Sequence, residues 1–325
     1  MQSAPENVGT PLPTDRLTPP RRPGSVRRTL SIDMARPEGM DGRIVLHGRA
    51  RDLRTGRDGD AEVIATSGFD IEVGRGGAGI TRACVEERDQ PALIGVQAFI
   101  GFRGALAKLP RIAPGSLSYQ LLDDVPVATM ITAYMQRGLE PRADKPGAYL
   151  PQLDVCAGWI RGGKAHLGLV QSGRRLRVEG PVGEPMDDGT DPLAWHAQAP
   201  LPAFSMRRRR RIDVWANGAG LAAHSVLRDV FVDADGRETL VHEYAIDTEV
   251  DADGRVTHSA ARHGSLPLGD CPAAAPSAGR IVGTPIADLR EAVRTGLRGT
   301  ATCTHLNDSL RALADVNALA AFIDP

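Results

Sequence analysis

One pattern recurs at wide separation in this chain and limits its folds more than any other. His47-Gly48-Arg49-Ala50-Arg51-Asp52-Leu53 and His224-Ser225-Val226-Leu227-Arg228-Asp229-Val230 both read histidine, three residues, then Arg-Asp-aliphatic. Fainter echoes flank them in the same order. Arg27 to Asp33 partly matches Arg207 to Asp213. Phe69 to Val73 and its glycine turn fall where Tyr244 to Val250 and its Asp-Gly turn fall. Ser118 falls where Cys303 does, and Gln120 falls near His305. Several echoes in one order imply two copies of one unit. Two such copies pack about a pseudo-twofold axis, with facing sheets or helices making a shared core. Only the second copy keeps a thiol and an imidazole together, so one copy reads as scaffold and the other as the carrier of the site.

Local patterns make each unit α+β. Ile44 to His47 and Phe69 to Val73 are short β-type runs. Gly74-Arg75-Gly76-Gly77-Ala78-Gly79 contains Gly-x-Gly-x-x-Gly, but Ile80 to Val85 looks like a return strand, so the stretch reads as a hairpin turn. Asp233-Ala234-Asp235-Gly236 and Asp251-Ala252-Asp253-Gly254 separate alternating runs and predict a three-stranded antiparallel meander. Neither turn has the ligand spacing of a calcium loop. Helical spacing marks Phe99 to Leu109, a stretch from Asp123 to Met135, Ile286 to Leu297 and Thr302 to Phe322. Between the units lies a loop-rich insertion, strand-like only at Val155 to Ile160 and His166 to Val170, and carrying Trp159 and Trp195. Such a segment covers a site or joins domains. The expected organisation is a mobile arm over 1–24, a first α+β unit over 25–139, a bridging insertion over 140–206 and a second α+β unit over 207–325.

Composition closes off some functions. Lys+Arg is 39 and Asp+Glu is 40, a net charge of -1 that gives no general pull toward nucleic acid or membrane. The run Arg207 to Arg211 therefore reads as a strand start whose alternate arginines meet solvent or carboxylates. Four cysteines without pairwise spacing fit a reducing cytoplasm. No apolar run approaches membrane-spanning length.

The chemistry concentrates near the C-terminus. Cys303 and His305 fall at a helix start, where free amides and the dipole lower a thiol pKa and favour neutral imidazole. Strand parity sets His242 with Leu240, Tyr244 and Ile246 on an apolar face, His224 with Val226, and His258 with Val256. If these histidines converge, they and Asp229 or Asp308 can do acid–base work, with Arg228 holding a developing oxyanion. Zinc on Cys271, Cys303 and His305 is an alternative, as is a cysteine nucleophile with His242 or His258 as base. A non-catalytic ligand-binding or assembly protein is a further reading.

The arginine-rich start, Cys271-Pro272, Asp191-Pro192-Leu193-Ala194-Trp195-His196, and Cys303-Thr304-His305-Leu306 before the last helix resemble the bacterial domain of unknown function 2889 family. The likeness is to a long, internally duplicated form and covers most of the chain from about Arg27. The resemblance implies a cytoplasmic protein of aromatic, lignin-derived carbon catabolism. A formaldehyde-releasing lyase of lignin-derived aromatic dimers is similar, so the resemblance favours an enzyme. With the acid–base histidines the expectation is a cofactor-independent lyase on a small aromatic substrate and a possible homodimer, and the charge balance gives no nucleic-acid or membrane partner.

Overall fold

The computed structural model describes residues 6–139, 153–172 and 178–323. Strands β1 Ser25–Ala35, β2 Ile44–Thr55, β3 Ala61–Val73, β4 Ile80–Val85 and the short β5 Arg88–Asp89 form one meander. Strands β6 Met206–Asn217, β7 Gly220–Val232, β8 Glu238–Val250 and β9 Val256–His263 form another. The meanders join through their first strands into one nine-stranded sheet, ordered β5-β4-β3-β2-β1-β6-β7-β8-β9, with β1 antiparallel to β6. The α+β class is as expected. Within the sheet, however, the meanders lie side by side rather than face to face.

The turns follow local chemistry. Asp233 and Asp251 accept backbone bonds that close the β7–β8 and β8–β9 hairpins, with Gly236 and Gly254 at positive φ. The glycine stretch after β3 is a turn, in which the Gly74 amide donates to the Gly79 carbonyl. Each meander also loses register just after its Arg-Asp motif, at Asp52 and at Asp229, and again at Glu72 and at Glu249.

β6 tolerates five consecutive arginines because both of its faces are covered and each guanidinium meets a carboxylate. Arg208 and Arg210 turn toward Asp229, Asp308 and Asp124. Arg207, Arg209 and Arg211 turn the other way, toward Asp33, Glu238 and Asp213. All five are buried, so the alternate solvent contact considered for this run is not found. An uncompensated guanidinium in such a place would cost several kcal/mol, on the order of 3–5.

Helices cover one face. After the short α1 Thr14–Leu17 come α2 Phe102–Leu106, α3 Leu117–Asp123 and α4 Val125–Ile131, of which the last three pack on the first meander. The Ser116 hydroxyl caps α3 by accepting from the Tyr119 amide, and Pro126 sits in the first turn of α4, where no donor is needed. After α5 Lys164–Ser172, helices α6 Leu289–Gly296, α7 Thr304–Ala312 and α8 Val316–Ala320 cover the second meander. The expected helix over Phe99 to Leu109 contracts to α2, with Gly101 at φ 84 before it.

The opposite face of the second meander carries a strap. Residues 6–24, expected as part of a mobile arm, are held instead: Val8 bridges to Leu266, Arg21 pairs with Asp191 at 2.6 Å, and Leu12 and Leu17 pack with Trp195, Val226 and Ala245. Two isolated leucines give no periodic signal, and their burial depends on partners far along the chain. In the insertion, residues 140–152 and 173–177 lie outside the described residues. The strand-like runs expected at Val155 to Ile160 and His166 to Val170 are a 3-10 turn at Ala157–Trp159 and α5. Short apolar runs fit either period. No helix among the described residues is long and apolar enough to cross a membrane.

Candidate active site

The register shift in β7–β8 sets Asp229 opposite His242 on the helix-covered face. Arg208 donates twice to the Asp229 carboxylate, from Nε at 2.8 Å and from Nη2 at 3.2 Å. The same carboxylate lies 3.0 Å from His242 Nδ1. Burial alone would raise the Asp229 pKa, but Arg208 and His242 outweigh it and hold the group well below the usual carboxylate range. An ionised carboxylate only accepts, so Nδ1 of His242 carries the hydrogen and Nε2 is left as the basic nitrogen. Burial lowers the His242 pKa against the pull of Asp229, which keeps the ring neutral near pH 7.

Helix α7 delivers the second imidazole. Its N-cap is Cys303, and the His305 ring stacks on His242 with centroids 3.6 Å apart and planes at 23°. Tyr134 meets the other side of His242 edge-on, at 5.6 Å. His305 Nδ1 lies 3.4 Å from the Thr304 hydroxyl and 3.8 Å from Cys303 Sγ, whereas its buried Nε2 has no hydrogen-bond partner among the described residues. Burial, reinforced by His242, drives the His305 pKa well below its ordinary value. The neutral imidazole expected at this helix start is present, with desolvation as its main cause. The low thiol pKa expected beside it is not: burial raises Cys303 despite the favourable His305 and Leu306 amides. Burial also pushes Cys156 up to about 11 and Cys271 well above its ordinary value. These thiols stay protonated, which weakens the cysteine-nucleophile alternative.

Both imidazoles and Cys303 line a cavity of about 460 Å³. Phe99, Met130 and Tyr134 come to it from the first half of the chain, and Trp159 comes from the insertion. The stretch expected as an insertion thus forms part of the cavity wall. Trp195 instead packs against the strap on the far side of the sheet.

Other candidate residues are placed elsewhere. His224 lies on the strap side, where Arg211 contacts its Nδ1 and Asp247 stands 3.8 Å from its Nε2; burial lowers its pKa to about 4. Arg228 is also on the strap side, with Nε 2.8 Å from Glu243 Oε1, so it does not hold an oxyanion in this cavity. His258 is exposed, because the register shift at Glu249–Val250 breaks the parity it was counted from. Asp308 is buried against Arg208 at 3.0 Å, behind the imidazoles. The residue that sequence reasoning missed is Arg208, which lay inside the arginine run. Its signal was available: Arg208 occupies the place in the second meander that Arg28 occupies in the first, and Arg28 pairs with Asp52.

Among the described residues, Asp229, His242 and His305 have ligand-type atoms within 4.8 Å of one another, and Cys271 and Cys303 do not join that group. The zinc set Cys271, Cys303 and His305 is therefore not assembled. A cation at Asp229 would have to displace Arg208 from both carboxylate oxygens and His242 Nδ1 from one. Held by Arg208, Asp229 acts as the hydrogen-bond partner that orients the His242 ring rather than as a direct ligand.

Residues 206–319 match the model of a family described as a protein of unknown function, DUF2889. No curated protein and no solved structure matches the chain.

Proposed function

We propose that this DUF2889 family member is a cofactor-independent lyase that moves a proton within a small hydroxylated aromatic substrate. The carrying observation is the buried Asp229–His242 pair, 3.0 Å apart, at the wall of a mostly apolar cavity. A substrate hydroxyl gives its proton to His242 Nε2 while Asp229 offsets the new imidazolium charge. The O–H electrons form a carbonyl, the adjacent carbon–carbon bond breaks, and its electron pair goes to the carbon bearing the aromatic ring. The imidazolium then returns the proton to that carbon. If the cleaved group is hydroxymethyl, the carbonyl product is formaldehyde. Atoms balance without a redox partner, and the histidine ends as it began. His305, with its unpartnered Nε2, positions the substrate.

The two meanders are read as products of an internal duplication, supported by the matching ion pairs Arg28–Asp52 and Arg208–Asp229 and by the matching register shifts. A cytoplasmic location fits the four free thiols.

The test is turnover of lignin-type aromatic dimers in deuterated water after chelator treatment. The expected result is formaldehyde together with one solvent deuteron on the former benzylic carbon. Activity that vanishes on chelation and returns with a stoichiometric metal would overturn the reading and make Asp229, His242 and His305 ligands.

A further inference from the structure

We infer that the cavity selects electrically neutral aromatic alcohols and rejects the corresponding carboxylates and amines. The inference rests on the cavity being a substrate site, and not on which bond is broken there. Among the described lining residues there is no Lys, Arg, Asp or Glu. Arginines do stand behind the imidazoles, but each is already matched. Arg208 is bound to Asp229 and Asp308, and Arg210 to Asp124. Among the described residues behind the imidazoles, no cation is left over for an anionic ligand. Asp229, the carboxylate bonded to His242, is in turn neutralised by Arg208, so the described wall around the imidazoles offers a ligand cation no net negative charge.

The two imidazoles give no charge either, because burial lowers both pKa values. Protonating one to meet an anion would place a charge 3.6 Å from its stacked neighbour, out of water. What the described wall does offer is uncharged: the His305 imidazole, whose buried Nε2 has no partner among the described residues, the Thr304 hydroxyl and the rings of Trp159 and Tyr134. A hydroxyl donating to Nε2 would satisfy that buried atom. A carboxylate has no hydrogen to donate, and a single bond from a neutral ring would not repay its dehydration. The cavity of about 460 Å³ has room for one or two aromatic rings.

Three probes share one skeleton: 2,3-diphenylpropan-1-ol, 2,3-diphenylpropanoate and 2,3-diphenylpropan-1-amine. Calorimetry on the full chain at pH 7.5 should give the alcohol a Kd at least about 30-fold lower than either ion, a modest share of the cost of burying an unpaired charge. A smaller ratio, or no binding of the alcohol, overturns the inference. Ile100 is 76 % exposed at the rim, so Ile100→Arg should fold normally. In that variant the carboxylate should gain at least about tenfold by acquiring a partner charge, with the alcohol unchanged. An unchanged ratio would place the ligand elsewhere and overturn the assignment. Selective alcohol binding without turnover of any dimer would keep this inference and sink the lyase reading. Turnover of carboxylate-bearing dimers would do the reverse.

Discussion

Arg28 grips Asp52 in the first meander as Arg208 grips Asp229 in the second, each through Nε and Nη2 and each fully out of solvent. Both aspartates precede a register shift. Across from them the halves part company. Asp52 faces Ala65, and Asp229 faces His242. Two residues further along, Ser67 meets the Ser118 hydroxyl at 2.9 Å, whereas Tyr244 lies against Cys303. The remaining nitrogen of Arg28 bonds Gln120 and Asp315, and that of Arg208 bonds Asp308. The second meander also has a strap on its far face, while much of β3 in the first stays exposed or half-buried. The ion pair is therefore a frame common to both halves and is not itself a mark of chemistry. What distinguishes the second half is an imidazole set beside a carboxylate that the frame already holds ionised.

The largest expected effect breaks this comparison at its distinguishing residue. His242→Ala should lower turnover of the proposed substrate by at least about 100-fold, while Ala65→Ser, at the matching place, leaves it unchanged. Steady-state kinetics on folded variants decides this, and near-normal turnover in His242→Ala removes the proposed base. The next test asks whether the frame is truly shared. Asp52→Ala and Asp229→Ala each leave two nitrogens of a buried guanidinium unpaired and should each cost about 3–5 kcal/mol in urea unfolding. Only the second should also reduce turnover once both proteins are folded. A cost below about 1 kcal/mol for Asp52→Ala would mean that the first pair is not a structural equivalent.

A smaller effect concerns the strap. Leu17→Ala should cost about 2 kcal/mol and should speed amide exchange in β7 and β8 but not in β2 and β3. Unchanged exchange in β7 would show that the strap adds nothing to the second half. The smallest effect is in pH dependence. His305 has a depressed folded pKa, so its contribution is complete above the unfolded value near ~6.5 and is lost as pH falls through that value. Between pH 7.5 and 5.5 this amounts to about 1 kcal/mol, which His305→Asn should remove and Gln120→Asn should leave in place. Comparing variant with parent isolates it from Asp124, whose carboxyl burial raises to about 6 and whose stability effect has the opposite sense, falling as pH rises from ~4.

Much of the fold was legible because it rests on short-range rules. Asp-Gly and glycine turns, the alternation in Leu240 to Val250, and the helix start at Cys303 all depend on residues within a few positions of one another. The repeated Arg-Asp motif was equally visible. Parity identified residues that share a face, but not which face. With helices on one side and the strap on the other, both faces of β7 and β8 are largely buried, so His224 on β7 and His242 on β8 look alike in sequence and end on opposite sides. A register shift then moved His258 out to solvent, and Arg228, expected to hold an oxyanion, went to Glu243 on the strap side while Arg208 took hold of Asp229. The edge-to-edge seam of β1 and β6, and the burial that raises the Cys303 thiol pKa against its helix start, were also beyond reach. The sequence by itself determined periods, turns and the supply of charges. Tertiary structure alone decided faces, partners and desolvation, because each depends on contacts between segments far apart along the chain.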